Sequence, residues 1–140
     1  ALTSVISHDE SCCWIAATES CASIDAMDSL VELVGCPNVA VSFDFRCGEF
    51  LTQGPTYDEW CEGVREADIK KAVILDVAAV GTGHGPVTIP LCLRLSGDLS
   101  GLKIFSGGGI RHLDDVEQLL RAGCDAALMA TALYPASAKK

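Results

Sequence analysis

A run of three glycines after a short apolar segment is the feature of this sequence most suited to binding chemistry. The run is Gly107–Gly109, preceded by Ser106 and followed by Ile110. Glycine lets backbone N–H groups approach an anion closely, because no Cβ stands in the way. If a strand ends here and a helix begins shortly after, the loop has the form of a phosphate site. The structural alternative is that the glycines only make a tight turn.

A second segment would bring further amides to the same point. Residues 128–133 read LMATAL and follow the next apolar run along the chain. The carboxyl ends of parallel strands meet at one edge of a sheet, and in barrels the loops after the last two strands frequently bind phosphate. We therefore predict a phosphate cradle made of Ser106, Gly107, Gly108, Gly109, Ala130 and Thr131, with the Thr131 hydroxyl as a side-chain ligand.

Two acidic residues stand at the ends of other apolar runs. Asp44 follows the run 39–43, and Asp76 lies near the end of the run 72–77. Two carboxylates at one edge of a sheet suit general acid–base catalysis. We predict that both face the same mouth from adjacent strands, roughly 5 Å apart. The alternatives are that Asp44 bonds nearby amides or pairs with Arg46, and that Asp76 caps the next loop.

Five apolar runs with little alternation predict buried parallel strands. They lie at 14–17, 39–43, 72–77, 102–105 and 126–129. Helical patterns separate these runs. The first predicted helix follows a cap at Ser23 and ends at Val34, and the second opens with a capping box at 56–59 and ends at about Ala67. A weaker helix is predicted over 87–95, and an apolar stripe predicts a fourth helix over 113–120. The strand ends recur every 24 to 32 residues, which is the size of one βα unit.

Repeated βα units predict an α/β fold, for which two architectures compete. One is an open, doubly wound, flavodoxin-like sheet, and the other is an arc of a (βα)8 barrel. An arc exposes two unpaired strand edges. We expect another chain or a missing N-terminal half to cover them, and we treat residues 1–140 as a single domain, the C-terminal part of the barrel.

The bulk composition limits the classes of function. Apolar residues make up 49% and charged residues 21%, with a net charge of −9. This acidic balance argues against nucleic acid and anionic membranes as partners, because both favour a basic surface. No long apolar run or signal peptide is evident, so we expect a cytoplasmic protein.

The eight cysteines and three histidines predict neither a disulfide framework nor a metal site. No cysteines form a C-x-x-C pair, most lie in apolar segments, and the histidines at positions 8, 84 and 112 are scattered. We interpret the cysteines as buried, reduced thiols, and we expect no metal and no cofactor.

The segment KIFSGGGIRHLDDVEQLLRAGCDAALMATALY resembles the last two units of the ProFAR isomerase superfamily, the ribotide isomerases of histidine biosynthesis and their uncharacterised relatives. WIAATES is similar to the fourth strand of that family, VSFDFRCGEF to the fifth and ILDVAAVGTGHGP to the sixth. The resemblance covers nearly all of residues 14–134. It implies a TIM barrel in which this chain supplies strands 4 to 8.

The resemblance also implies a reaction and a substrate class. Family members isomerise a sugar carrying two phosphates, using an Asp after strand 1 and an Asp after strand 5. Asp44 matches the second of these, and Thr18 would belong to the site of the other phosphate. The sixth strand departs from the family: Leu75 and Val80-Gly81-Thr82 replace a Thr and an Asp-Gly-Thr turn, while Asp76 fits the isomerase-related subgroup. Ala130 replaces a glycine.

Together these features predict an isomerase-like enzyme acting on a phosphorylated small metabolite. The alternative is a non-catalytic protein that binds a phosphorylated ligand on the same fold.

Overall fold

A computed structural model describes residues 12–133 of the chain. The strands are β1 (Trp14–Ala17), β2 (Val39–Arg46), β3 (Glu49–Phe50), β4 (Lys71–Asp76), β5 (Lys103–Gly107) and β6 (Ala126–Leu128). The helices are α1 (Ile24–Val34), α2 (Tyr57–Glu66), α3 (Ile89–Asp98) and α4 (Leu113–Arg121). Short 3-10 turns cover Cys36–Asn38 and Thr131–Leu133.

The main sheet runs β1-β2-β4-β5-β6, and every neighbouring pair in that order is parallel. A doubly wound sheet reverses its strand order at a switch point, whereas a barrel adds each new strand beside the last. The sequential order therefore confirms the predicted barrel arc and rules out the flavodoxin-like alternative for these strands. The two-residue strand β3, which pairs antiparallel with β2, was not predicted.

Three helix starts follow from local sequence. The Ser23 side chain accepts a hydrogen bond from the Ala26 N–H at 3.1 Å. Thr56 and Glu59 form the predicted capping box, each side chain accepting from the other residue's backbone N–H. The third helix runs from residue 89 to residue 98, later than predicted, with Pro90 in its first turn, where its missing N–H costs nothing.

The two faces of the sheet have different roles. Side chains alternate along a strand, so Val39, Val41 and Phe43 share one face of β2, where they pack in the hydrophobic core with Met27 and Trp60 of the helices. The opposite face carries Ser42 and Asp44, and it corresponds to the inside of the barrel. No helix in the described part of the chain is long and apolar enough to cross a membrane.

The structure has the eight cysteines as free thiols, and their expected burial is only partly correct. Cys61, Cys92 and Cys124 are buried, whereas Cys12, Cys13 and Cys47 are exposed. Cys47 is exposed because it lies in the turn between β2 and β3. An apolar sequence neighbourhood therefore does not by itself place a thiol in the core.

Candidate functional site

A cavity of about 440 Å³ lies at the carboxyl ends of β4, β5 and β6. Gly108, Gly109 and Ala130 line it, so the structure brings together the two segments that the sequence predicted to meet. The remaining lining residues are mostly small or apolar: Leu75, Val80, Gly81, Gly83, Ile110, Ala127, Leu128 and Met129.

The glycine loop has backbone N–H groups available for a ligand. Gly108 and Gly109 adopt φ values of 94° and 75°, in the left-handed region that glycine enters without strain. In the described part of the chain, the N–H groups of Gly108, Gly109 and Ile110 donate to no backbone acceptor. Gly109 and Ile110 are buried and Gly108 is half-buried. Because backbone donors removed from water need a partner, these groups are suited to a bound anion.

The other predicted cradle residues have different surroundings. At Gly107 a Cβ would lie 2.3 Å from the carbonyl oxygen of Leu128, so this glycine permits the close approach of β5 and β6. The Ser106 hydroxyl points to the opposite face, donating to the Ile74 carbonyl at 2.9 Å and lying 2.8 Å from the Thr88 hydroxyl. The Thr131 backbone begins a 3-10 turn next to the cavity, whereas its predicted hydroxyl contact lies outside what the structure describes.

The loop between β4 and α3 packs directly against the glycine loop. The Gly85 N–H donates to the Gly109 carbonyl at 2.7 Å. Gly81 and Gly83 of the same loop line the cavity. This hydrogen bond was not predicted from the sequence.

Arg111 is held by Asp115 rather than free to face the cavity. Its Nε and Nη2 donate to the two carboxylate oxygens at 3.0 and 2.9 Å, and its backbone N–H donates to Oδ2 at 2.9 Å. Asp115 is fully buried, and these bonds hold its pKa well below the ordinary value, against the opposing effect of desolvation. The positive charge of Arg111 is therefore balanced by the Asp115 carboxylate. The spacing of four residues at a helix start was the available signal for this pair.

Asp44 lies at the end of β2 in a network of short polar contacts. Its Oδ1 accepts from the Ser42 hydroxyl at 2.6 Å and its Oδ2 from the Glu19 N–H at 3.3 Å. Its own N–H donates to the Thr18 hydroxyl at 3.1 Å. Asp44 is 4% exposed and Thr18 is fully buried. The carboxylate is thus fixed by β1 and β2, and no ion pair with Arg46 occurs among the described residues.

Asp76 does not share a face with Asp44, so the prediction of two facing carboxylates is wrong. The strand register pairs Asp44 with Leu75 and Phe45 with Asp76. Because side chains alternate along a strand, Asp76 lies on the helix-facing side with Ile74. A one-residue offset in register was enough to separate two residues that both stand at strand ends.

Asp76 instead organises the turn between β2 and β3. Its carboxylate accepts from the N–H groups of Cys47, Gly48 and Ala78 at 3.1, 2.8 and 3.1 Å. Cys47 and Gly48 both have positive φ, so the turn is one that needs such support. The alternative of a loop-capping carboxylate describes this geometry. Asp76 also borders a separate cavity of about 410 Å³, together with Cys47 and His84.

Comparison with known proteins places this geometry in a family. Residues 9–139 match the family model described as histidine biosynthesis protein. The chain belongs to this histidine biosynthesis family. The resemblance stated from sequence motifs is therefore confirmed at the level of the family.

Curated relatives of the histidine biosynthesis family include both isomerases and an uncharacterised protein. An uncharacterised protein of Methanocaldococcus jannaschii is 35% identical over 74% of this chain and 43% of its own length. The imidazole-4-carboxamide isomerases of Salinibacter ruber and Halobacterium salinarum, whose names include two phosphoribosyl groups, are 29% and 32% identical. They match 86% and 81% of this chain and 50% and 49% of their own. The chain spans about half the length of these relatives.

The positions that departed from the family pattern lie in the cavity of this family member. Leu75 and Val80 both line it, where the pattern has a hydroxyl and a carboxylate. The cavity therefore combines a backbone anion cradle with an apolar wall. No group of three or more metal-ligating side chains occurs within residues 12–133.

Proposed function

We propose that this chain forms the phosphate-binding part of an isomerase-like enzyme that acts on a phosphorylated small metabolite. The observation that carries the proposal is the pair of left-handed glycines, Gly108 and Gly109, which line the cavity and whose N–H groups donate to no backbone acceptor in the described part of the chain. A phosphate oxygen accepts hydrogen bonds from several N–H groups at once, and such charge-assisted bonds are the strong ones. Ala130 and the backbone of Thr131 complete the proposed cradle from the neighbouring strand end.

Asp44 is the proposed acid–base residue. It lies at the carboxyl end of a barrel strand, on the inner face, where catalytic residues of such barrels are found. The Ser42 hydroxyl and the Glu19 N–H fix the orientation of its carboxylate, and Thr18 fixes its backbone. We assign Thr18 to positioning Asp44, because its hydroxyl is already bonded there and is buried.

We assign structural roles to three other predicted site residues. Asp76 holds the turn after β2, Ser106 joins β5 to the helix layer through Thr88, and Gly107 lets β5 and β6 approach. None of these roles requires contact with the ligand. They explain why residues at strand ends can be constrained without being catalytic.

The substrate is proposed to differ from that of the isomerases. Leu75 and Val80 give the cavity an apolar wall, which disfavours polar ligand groups at that point unless a bonding partner is present. The similarity to the uncharacterised archaeal protein also supports a subgroup of its own.

The complete barrel requires further strands. β1 and β6 each have one parallel neighbour in the described sheet and expose their other edge. We propose that three more βα units, from the same protein or from another chain, pair with these two edges. Eight strands close such a barrel and remove its unpaired backbone groups.

Substitution of the cradle tests the proposal. In the whole protein, Gly108→Leu should weaken binding of inorganic phosphate, measured by calorimetry, by about tenfold or more, equivalent to about 1.4 kcal/mol. Gly101→Leu is the matched control, since Gly101 also has positive φ, 80°, but lies in open space away from the cavity. Equal affinities for the two variants would refute the cradle.

The second candidate function is non-catalytic binding of a phosphorylated ligand, and it can be tested with the same protein. If the whole protein binds the bis-phosphoribosyl compound for which the relatives are named, but converts neither it nor simpler phosphorylated aldoses, the binding function stands and the isomerase assignment fails.

A further inference from the structure

Two buried thiols lie in contact behind the glycine loop. Cys92 on α3 and Cys124 in the turn between α4 and β6 have their sulfur atoms 3.0 Å apart, with the Cys124 thiol donating to Cys92. Cys92 is fully buried and Cys124 is 5% exposed. Neither lies in the cavity or contacts Asp44, so the proposed reaction does not use them.

The surroundings make the two sulfurs unequal. Cys92 accepts the hydrogen bond of the Cys124 thiol. This bond, with a smaller effect of the neighbouring Ser106 and Thr88 hydroxyls, lowers the pKa of Cys92 against the opposing effect of burial. The same shared bond raises the pKa of Cys124, as does its burial. The first thiolate of the pair therefore forms on Cys92. A thiolate is the nucleophile in thiol oxidation.

We propose that Cys92 and Cys124 are an oxidisable pair that forms a reversible disulfide between α3 and the turn before β6. The sulfurs need to approach by about 1 Å to reach the normal bond length of about 2.05 Å. A hydroperoxide is the oxidant that suits this buried position, because it is small. No other pair of cysteine sulfurs in the described chain makes such a contact.

The chemistry balances with hydrogen peroxide as oxidant. The Cys92 thiolate attacks one peroxide oxygen, the O–O bond breaks, and the leaving hydroxide takes a proton to become water, giving a sulfenic acid. The Cys124 sulfur then attacks the Cys92 sulfur, the S–O bond breaks, and the Cys124 proton leaves with the hydroxyl as a second water. Two thiols are oxidised to one disulfide, and one peroxide is reduced to two waters.

The disulfide would link α3, which precedes β5 in the chain, to the turn that follows α4. Its ends are 32 residues apart, and the closed loop contains β5 and α4, including the glycine loop. Closing a loop of this size restricts the unfolded chain and stabilises the folded state. Oxidation should therefore stabilise the part of the chain that carries the cradle. This effect does not depend on the proposed function.

Peptide mapping tests the pair directly. The whole protein is oxidised with hydrogen peroxide under native conditions, its free thiols are alkylated, and it is digested with trypsin without reduction. We expect a cross-linked species joining residues 72–94 to residues 122–139, lost on treatment with dithiothreitol. The melting temperature of the oxidised protein should rise by roughly 5–10 °C.

Two variants separate the specific pair from general thiol oxidation. Cys124→Ala should abolish both the cross-linked species and the rise in melting temperature. Cys61→Ala is the matched control, since Cys61 is also buried but contacts no other cysteine sulfur in the described chain, and it should retain both. Two results would overturn the proposal. One is that Cys92 and Cys124 are both still alkylated after the exposed Cys47 has been completely oxidised. The other is a cross-link that joins other cysteines.

Discussion

The Gly85 N–H donates a hydrogen bond of 2.7 Å to the carbonyl of Gly109, and this contact joins the loop after β4 to the loop after β5. The two backbones are so close that a Cβ on Gly109 would lie 2.4 Å from the Gly85 carbonyl oxygen. The contact fixes the direction of the Gly109 peptide. The shape of the candidate cavity thus depends on two loops that are 24 residues apart in sequence.

Gly109→Ala should therefore destabilise the protein more than strain alone explains. A non-glycine residue at positive φ costs about 1–2 kcal/mol, and forcing the loops apart should add about 1–3 kcal/mol. Gly101→Ala isolates the strain, because Gly101 has φ 80° and open space around its Cβ position. Urea unfolding of both variants gives the difference, and equal free energies of unfolding would mean that the loop contact contributes nothing.

Because of Asp115, the free energy of unfolding should depend on pH in the acidic range. Its folded-state pKa is depressed by Arg111, so its contribution is complete above the ordinary value of 3.8 and is lost as the pH falls through the folded-state value. Asp115→Asn should cost about 2 kcal/mol at neutral pH. Between about pH 5 and pH 2 the variant should lose less stability than the native protein, because it lacks this titrating group.

The neighbouring Asp114 provides the control for that measurement. It lies in the same helical turn but is exposed, so Asp114→Asn should change the free energy of unfolding by less than about 0.5 kcal/mol. If the Asp114 and Asp115 variants show the same acid profile as the native protein, the buried ion pair does not contribute as described.

Asp76→Asn should affect stability rather than chemistry. An amide cannot accept all three backbone hydrogen bonds that the carboxylate accepts from Cys47, Gly48 and Ala78. The expected loss is about 2 kcal/mol in urea unfolding, with phosphate affinity unchanged. A variant of unchanged stability but reduced turnover would instead indicate that Asp76 takes part in the reaction.

The general fold was predictable because its signals are local and repeated. The apolar runs, the capping box at Thr56 and Glu59, and the regular spacing of strand ends each follow from short segments. The relation of Asp44 to Asp76 was not predictable, since it depends on a register offset of one residue between strands. The contact of Gly85 with Gly109 and that of Cys92 with Cys124 likewise join distant segments, which periodicity does not report.

Asp44→Asn tests the reaction apart from the cradle. The variant keeps the shape of the side chain but removes its function as a proton acceptor, so turnover of a phosphorylated substrate should fall by at least about 100-fold. Phosphate affinity should change by less than about twofold, because the cradle lies on β5 and β6 rather than on β2. Unchanged turnover would contradict the assignment of Asp44.

Titration of the backbone amides tests most directly whether the cavity at the carboxyl ends of β4, β5 and β6 binds phosphate. Inorganic phosphate is added to the 15N-labelled whole protein and the amide resonances are followed by NMR. We expect saturable shifts at Gly108, Gly109 and Ala130, with little change at Gly101 and Gly123, which lie outside the cavity lining. Absence of shifts at these three amides, or saturable shifts confined to another part of the chain, would contradict phosphate binding at this cavity.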